Sequence, residues 1–399
     1  MAVEALSVSP PALAGRMQRI SVSATAAMVI EAERLRAEGA DLVDFGAGEP
    51  DFPTPEHIKQ AAVAALRENF TRYTATGGIA PLKDAICRRH AALCGTAYER
   101  AEVLVTLGGK HALFNCISAL VDHGDEVILP APYWVSFYDM ITYAGGRPKV
   151  VAADEEHGFT LTPAMIERAL SPRTRAIILN SPSNPSGAVL PPALFQAVLA
   201  ICRERGIWLI SDECYLQFIY AGAPYSVAAE PGARERVIIA GSLSKTYAMT
   251  GWRIGYALAP KPVIGAMLNL QSHSTSNPVS FAQKAAIAAL EGPQDCVAGM
   301  LSEYRRRRDL IVSGLRAIPG LRCVEPAGAF YAYPNLKALL RPGLETPMAF
   351  SQRLLREYGV VTVPGEAFGT AAHLRFSYAT STQNIERGLQ RLRDFCAAL

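Results

Sequence analysis

The stretch VIIAGSLSKTYAMTGWRIGY, residues 237–256, decides how the rest of the chain is read. Its opening β-branched run, Val237, Ile238 and Ile239, has the pattern of a buried strand. The small residues Gly241, Ser242 and Ser244 follow and leave room for a ligand beside the backbone. Lys245 is then a lone amine at the end of an apolar strand, where desolvation lowers its pKa and exposes a nucleophilic lone pair. Ser242 and Arg253, a hydroxyl and a guanidinium flanking that amine, suit a phosphate group.

An amine so placed suits a Schiff base with an aldehyde, and pyridoxal 5'-phosphate is the commonest aldehyde cofactor. Two other readings stand beside it on this stretch alone. Ser242 to Lys245 also satisfies the S-x-x-K pattern of penicillin-binding enzymes, which requires Ser-Asp-Asn and Lys-Thr-Gly elsewhere. The nearest matches, Ser211-Asp212-Glu213 and Lys245-Thr246-Tyr247, do not fit. An ordinary surface lysine after a strand is the third reading, so other segments must decide.

Working outward, short apolar runs at 103–106, 126–129, 176–180, 208–211, 237–240 and 254–259 read as strands. Helical patterns at 110–121 and 191–205 alternate with them. This texture predicts an α/β fold with a mostly parallel sheet covered on both faces. Helices dominate from 262 to 317, then short strands at 330–333, 360–363 and 374–378 mark a second, smaller unit. A helix capped by Ser23 and stopped near Gly39 joins it after a loose Pro/Ala-rich start. A strand at 42–45 ends in Gly46-Ala47-Gly48. No third glycine follows and Pro50 breaks the expected helix start, which argues against a dinucleotide fingerprint. Gly48 instead marks a close approach of backbone to ligand. Helices opened at Pro55 and Pro81 flank a loop that carries Tyr73.

Half of the 399 residues are hydrophobic, and 39 Lys+Arg against 36 Asp+Glu leave a net charge of +3. A large core follows, and no nucleic-acid surface. The one basic run, 305–308, reads as a solvated helix. The eight cysteines have no paired spacing and predict reduced packing residues, with a cytoplasmic location. No stretch approaches a transmembrane span, and the seven histidines show no metal-ligand spacing.

Parallel sheets place ligands beyond the carboxyl ends of their strands, and the polar residues that stand out here follow predicted strands. Gly108-Gly109-Lys110 opens a helix and is either a phosphate seat or a plain turn. Asn184 sits in a rigid Pro- and Gly-containing turn that either presents its amide or is merely a turn. Asp212, at the mouth of a buried strand, needs a cationic partner such as a protonated pyridine nitrogen, or else caps a helix. Tyr215, three residues on, suits a phenolate oxygen on the same ring. Trp134 either stacks on a flat ligand or packs in the core. Arg375, within an apolar strand, takes an anion bidentately or forms an internal salt bridge.

Taken together and in this order, these pieces resemble the class I (fold type I) pyridoxal-phosphate aminotransferases, in the branch of prokaryotic-type aspartate aminotransferases, some of which also use prephenate. The resemblance runs from about Ser23 to the C-terminus. It rests on Gly46-Ala-Gly-Glu-Pro-Asp-Phe52, Gly108-Gly-Lys-His-Ala-Leu-Phe114, Pro132-Tyr-Trp-Val135, Asn180-Ser-Pro-Ser-Asn-Pro-Ser-Gly187, Ser211-Asp-Glu-Cys-Tyr215, Ser244 to Tyr256 and Leu374-Arg-Phe-Ser-Tyr-Ala-Thr380.

The resemblance implies a seven-stranded, mostly parallel sheet in a large domain (51–295). An N-terminal arm (1–50) and a small α+β domain (296–399) would complete the chain. It implies that Lys245 holds the cofactor and moves the substrate proton. Asp212 would pair with the ring nitrogen, Asn184 and Tyr215 with the phenolic oxygen, and Trp134 would stack on the ring. Gly109, Lys110, Ser242 and Arg253 would hold the phosphate, joined by Tyr73 from the second subunit of a homodimer. Arg375, with Gly48 nearby, would take the α-carboxylate.

The expected reaction is L-aspartate with 2-oxoglutarate, in two stages. The region 271–278 lacks the arginine by which one branch reads the distal carboxylate, and Lys110 is the implied substitute. Prephenate users carry a basic residue where this chain has Ser21 and Val22, with Arg19 only upstream, so prephenate is not the expected substrate. The same scaffold also serves aromatic or basic amino acids, oxidases and lyases. A ligand-sensing regulator would need a DNA-binding unit ahead of Ser23, and only about twenty residues precede it.

Overall fold

The computed structural model describes residues 13–20 and 24–399. The expected cap at Ser23, the Pro/Ala-rich start before residue 13, and Ser21 and Val22 lie outside the described residues. In chain order the helices and strands are α1 (Ala24–Ala37), β1 (Val43–Asp44), α2 (Glu56–Arg67), α3 (Ala80–Cys94), β2 (Val103–Thr106), α4 (Gly109–Leu120), β3 (Glu126–Ala131), α5 (Ser136–Tyr143), β4 (Arg147–Ala152), α6 (Pro163–Ala169), β5 (Thr174–Asn180), α7 (Pro192–Arg205), β6 (Trp208–Asp212), β7 (Val237–Ser242), α8 (Leu243–Thr246) and β8 (Gly255–Leu258). The remainder is α9 (Lys261–Ser272), α10 (Ser280–Glu291), α11 (Asp295–Arg316), β9 (Tyr331–Ala332), α12 (Pro347–Tyr358), β10 (Val360–Val361), β11 (Val363–Pro364), β12 (Leu374–Ser377) and α13 (Thr382–Ala397).

Seven strands form one sheet in the order β2-β8-β7-β6-β5-β3-β4. All pairs are parallel except those of β8, which runs against both β2 and β7. Side chains alternate across a strand, so a β-branched run survives only where helices cover both faces. In β7, Ile238 packs on one side with α4 and α9, and Ile239 on the other with α2, α3 and α10; both are fully buried. Each such side chain contributes about 1.5–3 kcal/mol of burial.

The reversal of β8 locates the site. Gly255, its first residue, is in register with Ser242 at the end of β7 and with Thr106 at the end of β2. Arg253, just before β8, therefore arrives at the carboxyl edge that Ser242 and the Gly108-Gly109 turn also occupy. A Cβ on Gly255 would lie 2.4 Å from the backbone of Gly108 and Gly109, so only glycine permits that contact.

A three-stranded antiparallel sheet, β11-β12-β9, carries Arg375 on β12, and β1 pairs in parallel with β10. Phe45 O accepts from Ser377 N at 2.8 Å and Phe45 packs on Phe376, which brings the Gly46–Gly48 turn alongside Arg375. One expectation is corrected here. The basic run on α11 is only partly solvated: Arg305 and Arg306 are exposed, but Arg307 is not. Arg307 is 6% exposed, clamped by Asp51 and Glu303 at 2.7 Å and stacked over Phe52, so it ties α11 to the segment after β1.

Candidate active site

One cavity of about 1000 Å³ lies at the carboxyl edge of the large sheet. Its wall includes Gly48, Gly109, Lys110, Trp134, Asn184, Asp212, Tyr215, Ser242, Lys245, Arg253 and Arg375, so eleven of the twelve expected site residues converge. Tyr73 does not: it is 92% exposed on the loop between α2 and α3.

Lys245 lies on α8, the short turn that follows β7, and its ammonium donates to Gly48 O. Burial pushes its pKa down to about 8, with Arg375 and Arg253 adding repulsion, so an uncharged amine is accessible near neutral pH. Asp212, the last residue of β6, is buried, and burial pushes its carboxyl up to about 6. Its Oδ1 accepts from Cys214 N at 3.0 Å, so it does cap the following turn, yet it has no ion pair among the described residues. A buried acid without a cation is costly, and a protonated ring nitrogen would supply one.

Arg375 presents the complementary problem. It is 4% exposed, donates to Gly46 O at 2.7 Å and to Asn184 Oδ1 at 3.0 Å, and leaves Nε without a partner. Its guanidinium lies 4.7 Å over the Tyr331 ring and 5.2 Å over that of Phe368. No carboxylate of the described residues faces it, so the internal salt bridge is absent there and a planar fork is left for an incoming anion.

At the other end, Ser242 Oγ caps α8 by accepting from Ser244 N at 3.1 Å. Arg253, held in the left-handed region at φ 53°, donates to Thr250 O at 2.7 Å and to Leu107 O at 3.2 Å. Gly108 has φ 83°, and a Cβ on it would meet Arg253 at 2.4 Å. The first amides of α4, on Gly109 and Lys110, point out of the helix with no preceding turn to bond. One serine and one arginine beside free helical amides form an anion cradle. Lys110 Nζ lies 5.1 Å over the Trp134 ring; partial desolvation and then Arg253 push its pKa down.

Sequence reasoning missed Tyr331, whose hydroxyl meets that of Tyr215 at 2.7 Å and whose ring supports Arg375. It sits in a predicted strand, where a hydroxyl among apolar residues was the available signal. Cys214 also lines the cavity, against Gly109.

A desolvated amine, an anion cradle, and a buried acid and a buried guanidinium that have no ion pair among the described residues fit pyridoxal 5'-phosphate and an amino acid around one cavity. With this sheet order they define a pyridoxal-phosphate enzyme of fold type I. The model of the family described as aminotransferase class I and II matches residues 40–392. The chain is 44% identical to an aspartate aminotransferase of Geobacillus stearothermophilus, covering 97% of this chain and 99% of that one. It is 43% identical to an aspartate/prephenate aminotransferase of Cereibacter sphaeroides over the same shares. The solved aspartate aminotransferase of Thermus thermophilus with maleate superposes with a TM-score of 0.91 at 41% identity, covering 96% of this chain and all of the other. That of Rhizobium meliloti gives 0.93 at 42%, covering 97% and 99%. The chain belongs to the class I and II aminotransferases, and it is a pyridoxal-phosphate-dependent enzyme.

Proposed function

We propose that the protein exchanges an amino group between L-aspartate and 2-oxoglutarate in two half-reactions, giving oxaloacetate and L-glutamate. The observation that carries this reading is the buried Arg375, without a counter-ion among the described residues, in the same cavity as Asp212, which has no ion pair among them, and the desolvated Lys245. Bound cofactor supplies an electron-accepting ring that stabilises charge left on an amino acid's α-carbon.

The chain's own residues then have separable tasks. Lys245 would hold the cofactor, and its amine would be the base that carries the proton from the amino acid's α-carbon to the cofactor's C4'. Asp212 stays anionic opposite the ring nitrogen and keeps it protonated. Asn184 and Tyr215 orient the phenolic oxygen, and Trp134 closes one face of the ring. Gly109, Lys110 through its backbone, Ser242 and Arg253 hold the phosphate. Arg375 takes the α-carboxylate, with Gly48 close by, and Lys110 Nζ is the cation for the distal one.

We further propose a homodimer in which Tyr73, fully outside its own cavity, reaches the second copy's phosphate, and a cytoplasmic location. The domains divide at 1–50, 51–295 and 296–399. The names of the relatives support aspartate as donor. The test is a half-reaction screen of amino acids against the holoenzyme, reading the change in cofactor absorption. Aspartate and glutamate should react fastest, and Lys110→Ala should slow both by more than it slows alanine. Equal reaction of Lys110→Ala with aspartate would remove Lys110 from that role.

A further inference from the structure

Behind Asp212, on the far side of the sheet, lies a buried polar cluster for which the reaction above has no use. Adjacent residues at a strand end point to opposite faces. Asp212 accordingly lines the large cavity, whereas Glu213 lines a separate pocket of about 20 Å³, room for one water. Glu213 Oε1 accepts from Ser226 Oγ at 2.6 Å and from Ser211 Oγ at 3.2 Å, and Oε2 meets His90 Nε2 at 3.1 Å. His90, from α3, is held in turn by Thr96 Oγ1 at 2.8 Å on Nδ1. The His90 and Glu213 side chains are 1% and 4% exposed.

A buried hydrogen-bonded cluster of this kind contributes modestly to net stability, because desolvation of its polar groups offsets the bonds they make. Its effect is to fix geometry. Glu213 is where β6 leaves the sheet: its N–H donates to Ala240 O at 2.9 Å, and its carbonyl accepts from Leu216 N at 3.0 Å to close the turn that carries Tyr215. With its side chain hydrogen-bonded to His90 of α3 and to Ser226, the residue is held from both its side chain and its backbone.

We propose that Glu213, clamped by His90, Ser211 and Ser226, is a positioning residue that aims the Asp212 carboxylate and the Tyr215 hydroxyl at the cofactor ring. This rests on the assignment of Asp212 and Tyr215 to that ring. Glu213→Gln keeps the size of the side chain but replaces one acceptor oxygen by a donor that faces the donors around it. In the holoenzyme it should shift the absorption spectrum of the bound cofactor and lower kcat on the order of tenfold to a hundredfold, the cost of a small misplacement near the chemistry. KM for the amino donor should move little, because Arg375 is untouched. Asp212→Ala is the reference. If Glu213 acts through Asp212 and Tyr215, Glu213→Gln added to the Asp212→Ala, Tyr215→Phe double variant should lower kcat by less than about twofold more.

A Glu213→Gln enzyme with the parent spectrum and kcat, whatever its melting temperature, overturns the proposal while leaving the Asp212 assignment intact. An Asp212→Ala spectrum identical to the parent's overturns that assignment instead. Should Glu213→Gln not fold, Ser226→Ala removes one donor with minimal change of volume. It should shift the spectrum in the same direction by a smaller amount, and no shift there overturns the proposal as well.

Discussion

Replacing Arg375 by alanine isolates what the α-carboxylate contributes. The guanidinium is 4% exposed, with Nη1 on Asn184, Nη2 on Gly46 O, and Nε unpaired. A carboxylate entering this site forms a desolvated, charge-assisted pair. Truncating one partner of such a pair costs about 2–5 kcal/mol. At 1.36 kcal/mol per factor of ten, kcat/KM for aspartate should fall by about 30- to 5000-fold. Arg375→Lys keeps the charge without the fork and should lose less. The assay is the aspartate half-reaction on the holoenzyme, run beside a simple amine with no carboxylate. That amine reacts slowly in the parent enzyme and should change by no more than about threefold in the variant. If both substrates slow equally, Arg375 supports the site's shape and not the carboxylate, and the reasoning fails. A loss below about threefold on aspartate would refute it too.

Titration of the cofactor-free protein gives a second check. The Lys245 pKa, about 8 in the fold against 10.5 ordinarily, means the unfolded chain binds more protons between these values, so stability rises with pH across that window. Cofactor-free Lys245→Met should therefore be more stable than the parent by on the order of 3 kcal/mol below pH 8, with the gap closing above 10.5, as read by urea unfolding. Gly255→Ala places a Cβ 2.4 Å from the Gly108-Gly109 backbone. It should weaken cofactor affinity at least about tenfold through a displaced phosphate turn, a cost of the size of core overpacking, and equilibrium dialysis at unchanged affinity would contradict it.

Much of the sheet was legible because β2, β5, β6 and β7 are apolar runs with few competing readings. β4, Arg-Pro-Lys-Val-Val-Ala, was not legible: it is the sheet's edge, half exposed, where a proline and charges are tolerated. α5 was missed for the opposite reason. Its aromatic and β-branched residues favour a strand locally, and Phe137, Met140 and Ile141 form a buried face only in a helical register. At the site, residue types following strands could be read singly, which identified Lys245, Asp212 and Asn184. What one sequence could not settle was pairing across distance. Whether Arg375 met an acid or awaited one depended on β12 lying beside the Gly46–Gly48 turn, and the burial of Arg307 depended on Asp51, 256 residues away. Tyr73 lies on a surface loop, and no single-chain pattern says what covers it.

The Gly48 carbonyl has a further consequence. It now receives the Lys245 ammonium, while Gly46, two residues earlier, receives Arg375. Once the lysine nitrogen is engaged elsewhere, that oxygen faces the cavity with a vacant lone pair. The occupant that relieves it best is the N–H of an incoming amino acid whose carboxylate already rests on Arg375. A single three-residue turn thus measures the distance between the two ends of its guest, and a molecule carrying the amino end alone, held at one point only, reacts slowly.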